Sequence, residues 1–463
     1  MSLTDFSSEI ILQICEELCP HCQEKHREIP RPDWWQRDYS RWALLALCHV
    51  NKKVGAIAQQ VLYHHFGYVE KDRDPDDLVR FCRTICANPE LGKYLRWADL
   101  SYSRVEVDCE MTRGWLMDAL DKFHEKMFLD QDYFDSGNPR SALAALILLQ
   151  APNLERFDDD GKNDGSFLRM MDWEDGIVIH DDVLPQNLRS VKLGDWCSSF
   201  REHEMYGIDL RDGCLGYLLS SLPKLHTLTI YCPMFLAPDD RVNFQHLRVL
   251  RLGEFLMNRE EFERLISYTP VLQEFAHFYV GLRARHRQDA ATVSDICQVL
   301  AQRTDTLRRL LLDASCTTDN IDHLRELDNL EELKICAGPI LERQRGTDRL
   351  QPYALASILP PSLKKLHVIS KMPGLDRAGE ALITYIQLTY RESPDEQKLK
   401  HVYFDVYEEP DRTYFPFKRK LERTCRDWMK HGTVVFSVGR FAWDDIGDWG
   451  SGEGNIDAED NRI

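Results

Sequence analysis

The sequence predicts an α/β fold in which a short N-terminal group of three helices precedes a long succession of strands and helices. Two patterns lead to this prediction: helical spacing of apolar residues over the first 70 positions, and a leucine-containing phrase that recurs from residue 150 onward. A third observation sets the scale, because 463 residues with 43% hydrophobic side chains can bury a sizeable core. We therefore expect an ordered chain with a helical start and a repetitive body.

Three amphipathic helices are expected within residues 1–68. Ser7 is suited to cap the first helix, over 6–18, whereas 19–39 hold three prolines and many charges and predict a loop or insertion. The second helix is expected to begin at Ser40, and the third lies around 54–66. The apolar stripes of the three helices consist of Ile10, Ile11, Ile14, Cys15, Leu18, Leu44, Leu47, Cys48, Val54, Ile57, Val61, Leu62 and Phe66.

A phrase of the form L-x-x-L-x-L, with β-branched and aromatic variants, follows a proline or polar turn at nine places. Its first leucines are Leu154, Leu188, Leu225, Leu247, Leu272, Leu307, Leu330, Leu363 and Leu399. Adjacent copies lie 22 to 37 residues apart, and helical patterns separate them. One of these, NREEFERLISY, has Asn258 and Glu261 at the spacing of a capping box.

A strand followed by a helix at this period is typical of leucine-rich repeats, whose units stack and share one core. We therefore expect an irregular leucine-rich-repeat solenoid, a horseshoe, over residues 151–440. A helical connector with the first repeats is expected over 69–150, where YLRWADL at residue 94 is a candidate earlier copy. An acidic, Gly-rich, flexible tail is expected over 441–463.

On each predicted strand the leucines point inward, and the residues between them point to the opposite, concave face. Lysine and arginine outnumber glutamate at these positions, on a chain whose formal charge is −18. We hypothesise that this face holds an acidic or phosphorylated segment of a protein target. The alternative is that the lysines only keep an exposed sheet soluble. The candidate target-binding residues are Lys192, Arg251, Arg309, Lys334, Lys365, His367 and Tyr403.

The N-terminal helices resemble a known motif. FSSEIILQICEEL followed by LLALCHVNKKVGAIAQQVLYHHF is similar to the F-box, especially in fungal proteins, in its Glu-Ile-Ile start, its LxxLCxVNKxV block and its LYxxF close. With the repeats that follow, the chain resembles the F-box/leucine-rich-repeat family. The resemblance implies that the helices bind a Skp-type adaptor of a cullin–RING (SCF-type) ubiquitin ligase. It also implies that the repeats hold a protein destined for ubiquitin-dependent degradation.

The adaptor contacts implied by the resemblance fall among apolar residues of the three helices, some of which must form the helices' own core. The candidates are Phe6, Ile10, Ile11, Ile14, Leu18, Leu44, Leu47, Val50, Ile57, Val61 and Leu62. An alternative is a repeat scaffold that binds a partner without any ligase, in which residues 6–66 only cap the repeat domain.

The tetrapeptide Cys19-Pro20-His21-Cys22 admits three interpretations. A redox dithiol would sit at a helix N-terminus, whereas this tetrapeptide follows the end of the first predicted helix. A zinc site needs four ligands, and no second CxxC is present. We favour a structural role with no metal or cofactor, in which Pro20 ends the helix and the thiols are small half-buried side chains. The zinc alternative would draw on Cys19, Cys22, His26 and either Cys48 or His49.

Other chemistry is sparse along the chain. The acidic balance argues against nucleic acid or an anionic membrane as the main partner, and no apolar run approaches the roughly 20 residues of a spanning helix. No Walker loop or G-x-S-x-G elbow is present, and the acidic cluster 158–160 is expected to be a solvated loop. We therefore expect a non-enzymatic, intracellular protein of the cytoplasm or nucleus, without a secretory signal.

Overall fold

Helices and parallel strands alternate along the chain in this computed structural model, which confirms the α/β class. Its contacts divide it into two compact units. The first contains the described residues from 5 to 194 and 219–225, and the second contains 208–209 and those from 226 to 440. The described residues are 5–26, 34–67, 77–100, 110–122, 139–159, 185–194, 208–209, 219–231, 233–235, 242–253, 257–278, 291–313, 322–336, 358–370, 382–385, 399–406, 419, 423 and 435–440. The predicted tail over 441–463 lies outside them.

The first unit begins with four helices, where three were expected. They are α1 (Ser8–Glu17), α2 (Pro20–His26), α3 (Trp34–Cys48) and α4 (Lys52–Leu62). Ser7 caps α1 by accepting the Ile10 N–H, as predicted, and Asn51 caps α4 by accepting the Val54 N–H at 2.9 Å. The prediction of a loop or insertion over 19–39 is wrong for 20–26 and 34–39, because Pro20 opens α2 instead of only ending α1 and α3 begins at Trp34. Proline suits a first helical position, where its missing N–H costs no hydrogen bond. Residues 27–33 lie outside the described part.

Two other boundaries differ from the prediction. Helix α3 begins at Trp34, so Ser40 lies inside the helix rather than at its cap. Helix α4 ends at Leu62, and Phe66 lies on a strand. The helices pack around a shared apolar core made of Ile11, Cys15, Cys19, Cys22, Leu44, Val54, Ala58 and Val61.

Within the described residues, the rest of the first unit consists of four helices and a parallel sheet. The helices are α5 (Asp77–Ala87), α6 (Pro89–Gly92), α7 (Glu110–Asp121) and α8 (Pro139–Gln150). The strands, in sheet order, are β1 (His65–Phe66), β2 (Trp97–Asp99), β3 (Arg156–Asp159) and β4 (Ser190–Leu193). In the described part of the chain, no helix has both the length and the apolar character that crossing a membrane requires.

Two carboxylates of β3 correct a sequence-based expectation. Asp158 and Asp159 were expected in a solvated loop but are 3% and 6% exposed. Asp158 accepts from Arg156 Nε at 2.8 Å, and Asp159 accepts from the buried Arg140 at 2.6 Å. Each buried charge therefore has an opposite charge beside it, which burial requires. Asp160 lies outside the described residues.

The second unit contains an eight-strand parallel sheet. Its strands, in sheet order, are β6 (Thr227–Tyr231), β8 (Val249–Gly253), β9 (Glu274–Phe278), β10 (Arg309–Asp313), β11 (Glu332–Cys336), β12 (Lys365–Ser370), β13 (His401–Val406) and β14 (Val435–Arg440). A separate pair joins β5 (Ile208–Asp209) to β7 (Pro233–Phe235). Helices α9 (Arg259–Ser267) and α10 (Val293–Leu300) each begin with a capping box, and that of α9 is the one predicted at Asn258.

Successive strands are joined by one recurring hydrogen-bond arrangement. A carbonyl just before one strand accepts from two consecutive N–H groups at the start of the next, at 2.7 to 3.1 Å. We call these acceptors the strand-start carbonyls. In the first unit they belong to His64, Arg96 and Glu155, and in the second to His226, Arg248, Gln273, Arg308, Glu331 and Lys364. Register is therefore set by the backbone at each step, whatever the length of chain between strands.

Candidate functional sites

The structure sorts the candidate adaptor-binding residues by exposure. Ile11, Leu44 and Val61 are at most 2% exposed and form the helical core. Ile10 and Val50 are 42% and 50% exposed. The remaining candidates are partly buried, namely Phe6, Ile14, Leu18, Leu47, Ile57 and Leu62. The candidates that point outward are therefore Ile10 and Val50, whereas Ile11, Leu44 and Val61 stabilise the fold.

Sequence reasoning missed two further exposed apolar residues on these helices. Leu12 is 36% exposed and Trp42 is 70% exposed. Of the five large apolar side chains exposed among the described residues, four lie in α1, α3 and the turn after α3, and the fifth is Val271. Exposed apolar side chains concentrated in one part of a chain indicate a candidate surface for interaction. Neither residue stood out in the sequence. For Trp42 the reason is that a tryptophan near a leucine stripe predicts a core position.

Strands β8 to β12 of the second unit carry their arginine, lysine and glutamate residues on one face of the sheet, which we call the outer face. Two rows cross it, because alternate residues of each strand point the same way. The first row consists of Thr227, Val249, Glu274, Arg309, Glu332, Lys365 and His401. The second row consists of Thr229, Arg251, Ala276, Leu311, Lys334, His367 and Tyr403. Lys192 is half-buried on β4 of the first unit.

The cationic groups of the outer face are not all directed at solvent. Glu274 is 2% exposed and accepts from Arg251 of β8 at 2.7 Å and from Arg309 of β10 at 3.2 Å. Lys334 is only 3% exposed, although an exposed position was expected. Strands pair at about 4.8 Å, so Glu274 on β9 lies within reach of side chains on both neighbouring strands. Part of the predicted basic stripe therefore neutralises a carboxylate of the same sheet.

Three aromatic rings lie together at the β12–β13 end of the outer face. The His367 and Tyr403 rings are 5.6 Å apart between centroids, and the His401 and Tyr403 rings are stacked at 6.3 Å. Burial lowers the pKa of His401, and the nearby Lys365 and Lys400 lower it further. Next to this group, burial raises the pKa of Glu332, against the opposing effect of Lys365 and Arg309.

A cluster of two thiols and two imidazoles lies where the helices meet the first strand. We call Cys19, His21, Cys22 and His64 the Cys–His cluster, and one ligand atom from each lies within 4.8 Å of the others. Cys22 Sγ is 3.7 Å from His21 Nδ1 and 3.4 Å from His64 Nδ1. Cys19 is fully buried, His21 and Cys22 are 7% exposed, and His64 is half-buried.

The two thiols of the cluster differ in acidity. A hydrogen bond from the Cys22 side chain lowers the pKa of the Cys19 thiol against the effect of burial, and the backbone N–H groups of Cys22 and His21 add to it. The same contact raises the pKa of Cys22 to about 11. Negative charge is therefore better stabilised at Cys19, which directly precedes α2 and its positive dipole end.

This geometry revises the sequence-based interpretations of the tetrapeptide. The tetrapeptide follows the end of α1, as predicted, but α2 starts at Pro20, so Cys19 also lies directly before a helix N-terminus. A redox exchange is still disfavoured, since Cys19 has no exposed surface for an external thiol to attack. Of the predicted zinc ligands, Cys19 and Cys22 come together, but Cys48 packs against the helical core and His49 is exposed. The His26 side chain lies outside the described part. His21 and His64 were not predicted as ligands, although His21 lies inside the tetrapeptide and His64 belongs to the HH pair in LYHHF.

Comparison with protein-family models gives no match for this chain, and neither does comparison with curated proteins. Function is therefore inferred from three features of the molecule. They are the exposed apolar side chains of the helices, the outer face of the eight-strand sheet and the Cys–His cluster.

Proposed function

We propose that this chain is the substrate-recognition subunit of an SCF-type cullin–RING ubiquitin ligase. Its N-terminal helices would bind a Skp-type adaptor, and a leucine-rich-repeat solenoid built from its recurring strands would bind the protein target. The observation that carries the proposal is the concentration of exposed apolar side chains on α1, α3 and the turn after α3. These elements coincide with the stretch of sequence that resembles the F-box.

Adaptor binding requires apolar residues that the helices do not need for their own core. Ile10 and Val50 meet this requirement, whereas Ile11 and Leu44 face the interior beside Val61. Burying one such side chain against a partner contributes about 1.5–3 kcal/mol. A few of them together therefore supply an appreciable share of a stable contact.

Target binding is assigned to the outer face of the second unit. Glu274 carries one negative charge and pairs with both Arg251 and Arg309, so it offsets part of their positive charge. Further cationic and aromatic groups that suit a partner lie along the sheet at Lys365, His367 and Tyr403. A lysine beside two ring systems fits an acidic or phosphorylated segment with an apolar neighbour. The proposed role is tethering, which raises the target's effective concentration near the ubiquitin-conjugating enzyme. We assign no covalent step to this chain.

Adaptor binding separates this proposal from a repeat scaffold without ligase association. The full chain is mixed with a purified Skp-type adaptor, and affinity is measured by isothermal titration calorimetry. We expect binding by the wild type and at least a tenfold loss with Ile10→Asp and Val50→Asp together, since both side chains are exposed and their replacement leaves the helical core intact.

The matched control is Val271→Asp, because Val271 is 36% exposed but lies in the second unit. It should bind the adaptor as the wild type does. Circular dichroism of each variant checks that the helices remain folded. A folded wild-type chain that does not bind the adaptor would favour the scaffold alternative.

A further inference from the structure

We propose that Cys19, His21, Cys22 and His64 bind one zinc ion with a structural role. Two thiols and two imidazoles form a common ligand set for tetrahedral zinc, and the ligand atoms of all four residues are already within 4.8 Å of one another. Softer sulfur and imidazole ligands also disfavour magnesium and calcium, which bind through oxygen.

The distances agree with a tetrahedral site. Zinc–sulfur bonds of about 2.3 Å and zinc–nitrogen bonds of about 2.05 Å place sulfur and nitrogen about 3.6 Å apart. The two separations from Cys22 Sγ, 3.7 Å to His21 Nδ1 and 3.4 Å to His64 Nδ1, lie on either side of this value. The widest separation allowed within the cluster is 4.8 Å. Ligand atoms of one tetrahedral zinc ion lie roughly 3.3–3.8 Å apart, so the widest pair has to close by at most about 1.5 Å, within reach of a side-chain rotation.

Charge and burial favour the same ion. Zn²⁺ with two thiolates and two neutral imidazoles has no net charge, so the complex avoids the cost of burying an unpaired ion. This matters here because Cys19 is fully buried and His21 and Cys22 are 7% exposed. Four protein ligands also leave no open position for water, which is the arrangement of structural rather than catalytic zinc.

The surroundings of the cluster hold its ligands in place. His21 Nε2 is buried without a hydrogen bond and lies 3.9 Å from Glu155 Oε2. Zinc-bound histidines usually donate their second ring N–H to such a carboxylate, and binding through Nδ1 would turn Nε2–H toward it. The His64 carbonyl accepts from the N–H groups of Arg96 and Trp97 at 2.9 Å each, which fixes this ligand at the entry to β1.

The proposed ion would join two parts of the first unit that the sequence separates by about 40 residues. Cys19 and Cys22 belong to the α1–α2 corner, and His64 lies between α4 and β1. The site would thereby fix the helices against the first strand of the sheet. This inference does not depend on adaptor binding, and either proposal can fail alone.

The test measures metal content of the full, tag-free chain after expression in zinc-supplemented medium and dialysis against metal-free buffer. We expect about one zinc per chain by inductively coupled plasma mass spectrometry. Cys22→Ser and His64→Asn should each reduce the content at least fivefold. Cys48→Ser and His49→Asn are matched controls, one nearby thiol and one nearby imidazole outside the cluster, and should retain one equivalent.

A second measurement needs no variant. The chain is loaded with Co²⁺ in place of zinc, and X-ray absorption and visible spectra should give a tetrahedral site with two sulfur and two nitrogen donors. A folded wild-type chain that stays below a tenth of an equivalent in excess zinc would overturn the proposal. So would cluster variants that keep a full equivalent, or a donor set other than two sulfurs and two nitrogens.

Discussion

Glu274 lies between two strands that each direct an arginine at it. At the scale of single residues, this carboxylate has two oppositely charged partners on the outer face, Arg251 at 2.7 Å and Arg309 at 3.2 Å. The three residues are not equally buried, since the Glu274 side chain is 3% exposed and that of Arg309 is 43% exposed. The carboxylate is therefore the member that depends on its partners, whereas Arg309 can be hydrated.

Removing the Glu274 charge should destabilise the second unit. In Glu274→Gln the half-buried Arg251 loses its carboxylate, and breaking a buried pair from one side costs roughly 3–5 kcal/mol. Arg309→Gln should cost less than about 1 kcal/mol, because an exposed partner contributes little. Urea unfolding followed by tryptophan fluorescence gives both values. Equal losses from the two variants would show that Glu274 is not the more dependent member.

His277 predicts a pH dependence of stability. It is 3% exposed, and burial lowers its pKa to about 4 from an ordinary value of about 6.5. Between these values the unfolded chain binds a proton that the folded chain does not, so stability falls as pH falls from 6.5 to 4. Above pH 6.5 this penalty is absent. Between pH 4 and 6.5, this residue should lower the free energy of unfolding by about 1.4 kcal/mol for each unit by which the pH falls.

The measurement is the free energy of unfolding at several pH values, for the wild type and for His277→Leu. Leucine suits the position because the register neighbours of His277 are Leu252 and Leu312. The variant should show a flatter dependence between pH 6.5 and 4 and no change in slope above it. The same slope in both proteins would contradict the assignment.

At the scale of elements, the contact between α3 and α4 depends on a glycine. A Cβ at Gly55 would lie 2.6 Å from the Cys48 carbonyl oxygen, which is backbone and cannot rotate away. The close approach allows Val54 and Ala58 to enter the core on either side. Glycine inside a helix lowers its stability by about 1 kcal/mol relative to alanine, so its presence in α4 has a steric reason.

Two glycine substitutions should therefore have opposite signs. Gly55→Ala should destabilise the first unit by about 1–3 kcal/mol, since the added methyl forces α3 and α4 apart. Gly114→Ala, in α7, should stabilise it by up to about 1 kcal/mol, because nothing lies within 4 Å of the added Cβ. Thermal unfolding monitored by circular dichroism distinguishes them. A stabilising Gly55→Ala would contradict the close approach of the two helices.

At the scale of the whole molecule, the sequence predicted what local patterns encode. The alternation in the recurring phrase located β3, β4, β6 and β8 to β13, because the side-chain period of a strand is visible in a few residues. It missed β1, which has two residues and no alternation to detect, and also β5, β7 and β14, which lack the leucine phrase. Helix α2 was missed because a proline that opens a helix has the same local appearance as one that ends it.

The candidate sites were less predictable than the fold, because they depend on contacts between distant residues. No spacing rule connects Cys22 to His64, and their 3.4 Å separation follows from the way α4 enters β1. The sequence also does not show that Ile10 is exposed and Ile11 is buried. Both residues belong to the same apolar stripe of α1, and which of them is covered depends on where the neighbouring helix packs. The recurring phrase also gave no sign that Arg251 pairs with Glu274 or that Lys334 is buried.

Because of the strand-start carbonyls, the register between two strands does not depend on the length of the chain segment that connects them. Consecutive acceptors are separated by 22 residues between His226 and Arg248 but by 59 between Arg96 and Glu155, with the same backbone geometry. Insertions and deletions between strands can therefore accumulate during evolution without disturbing the sheet. A new sequence grafted between two strands would inherit the same freedom. In this architecture, connecting segments can therefore diverge in length and chemistry while the pairing of the strands stays unchanged.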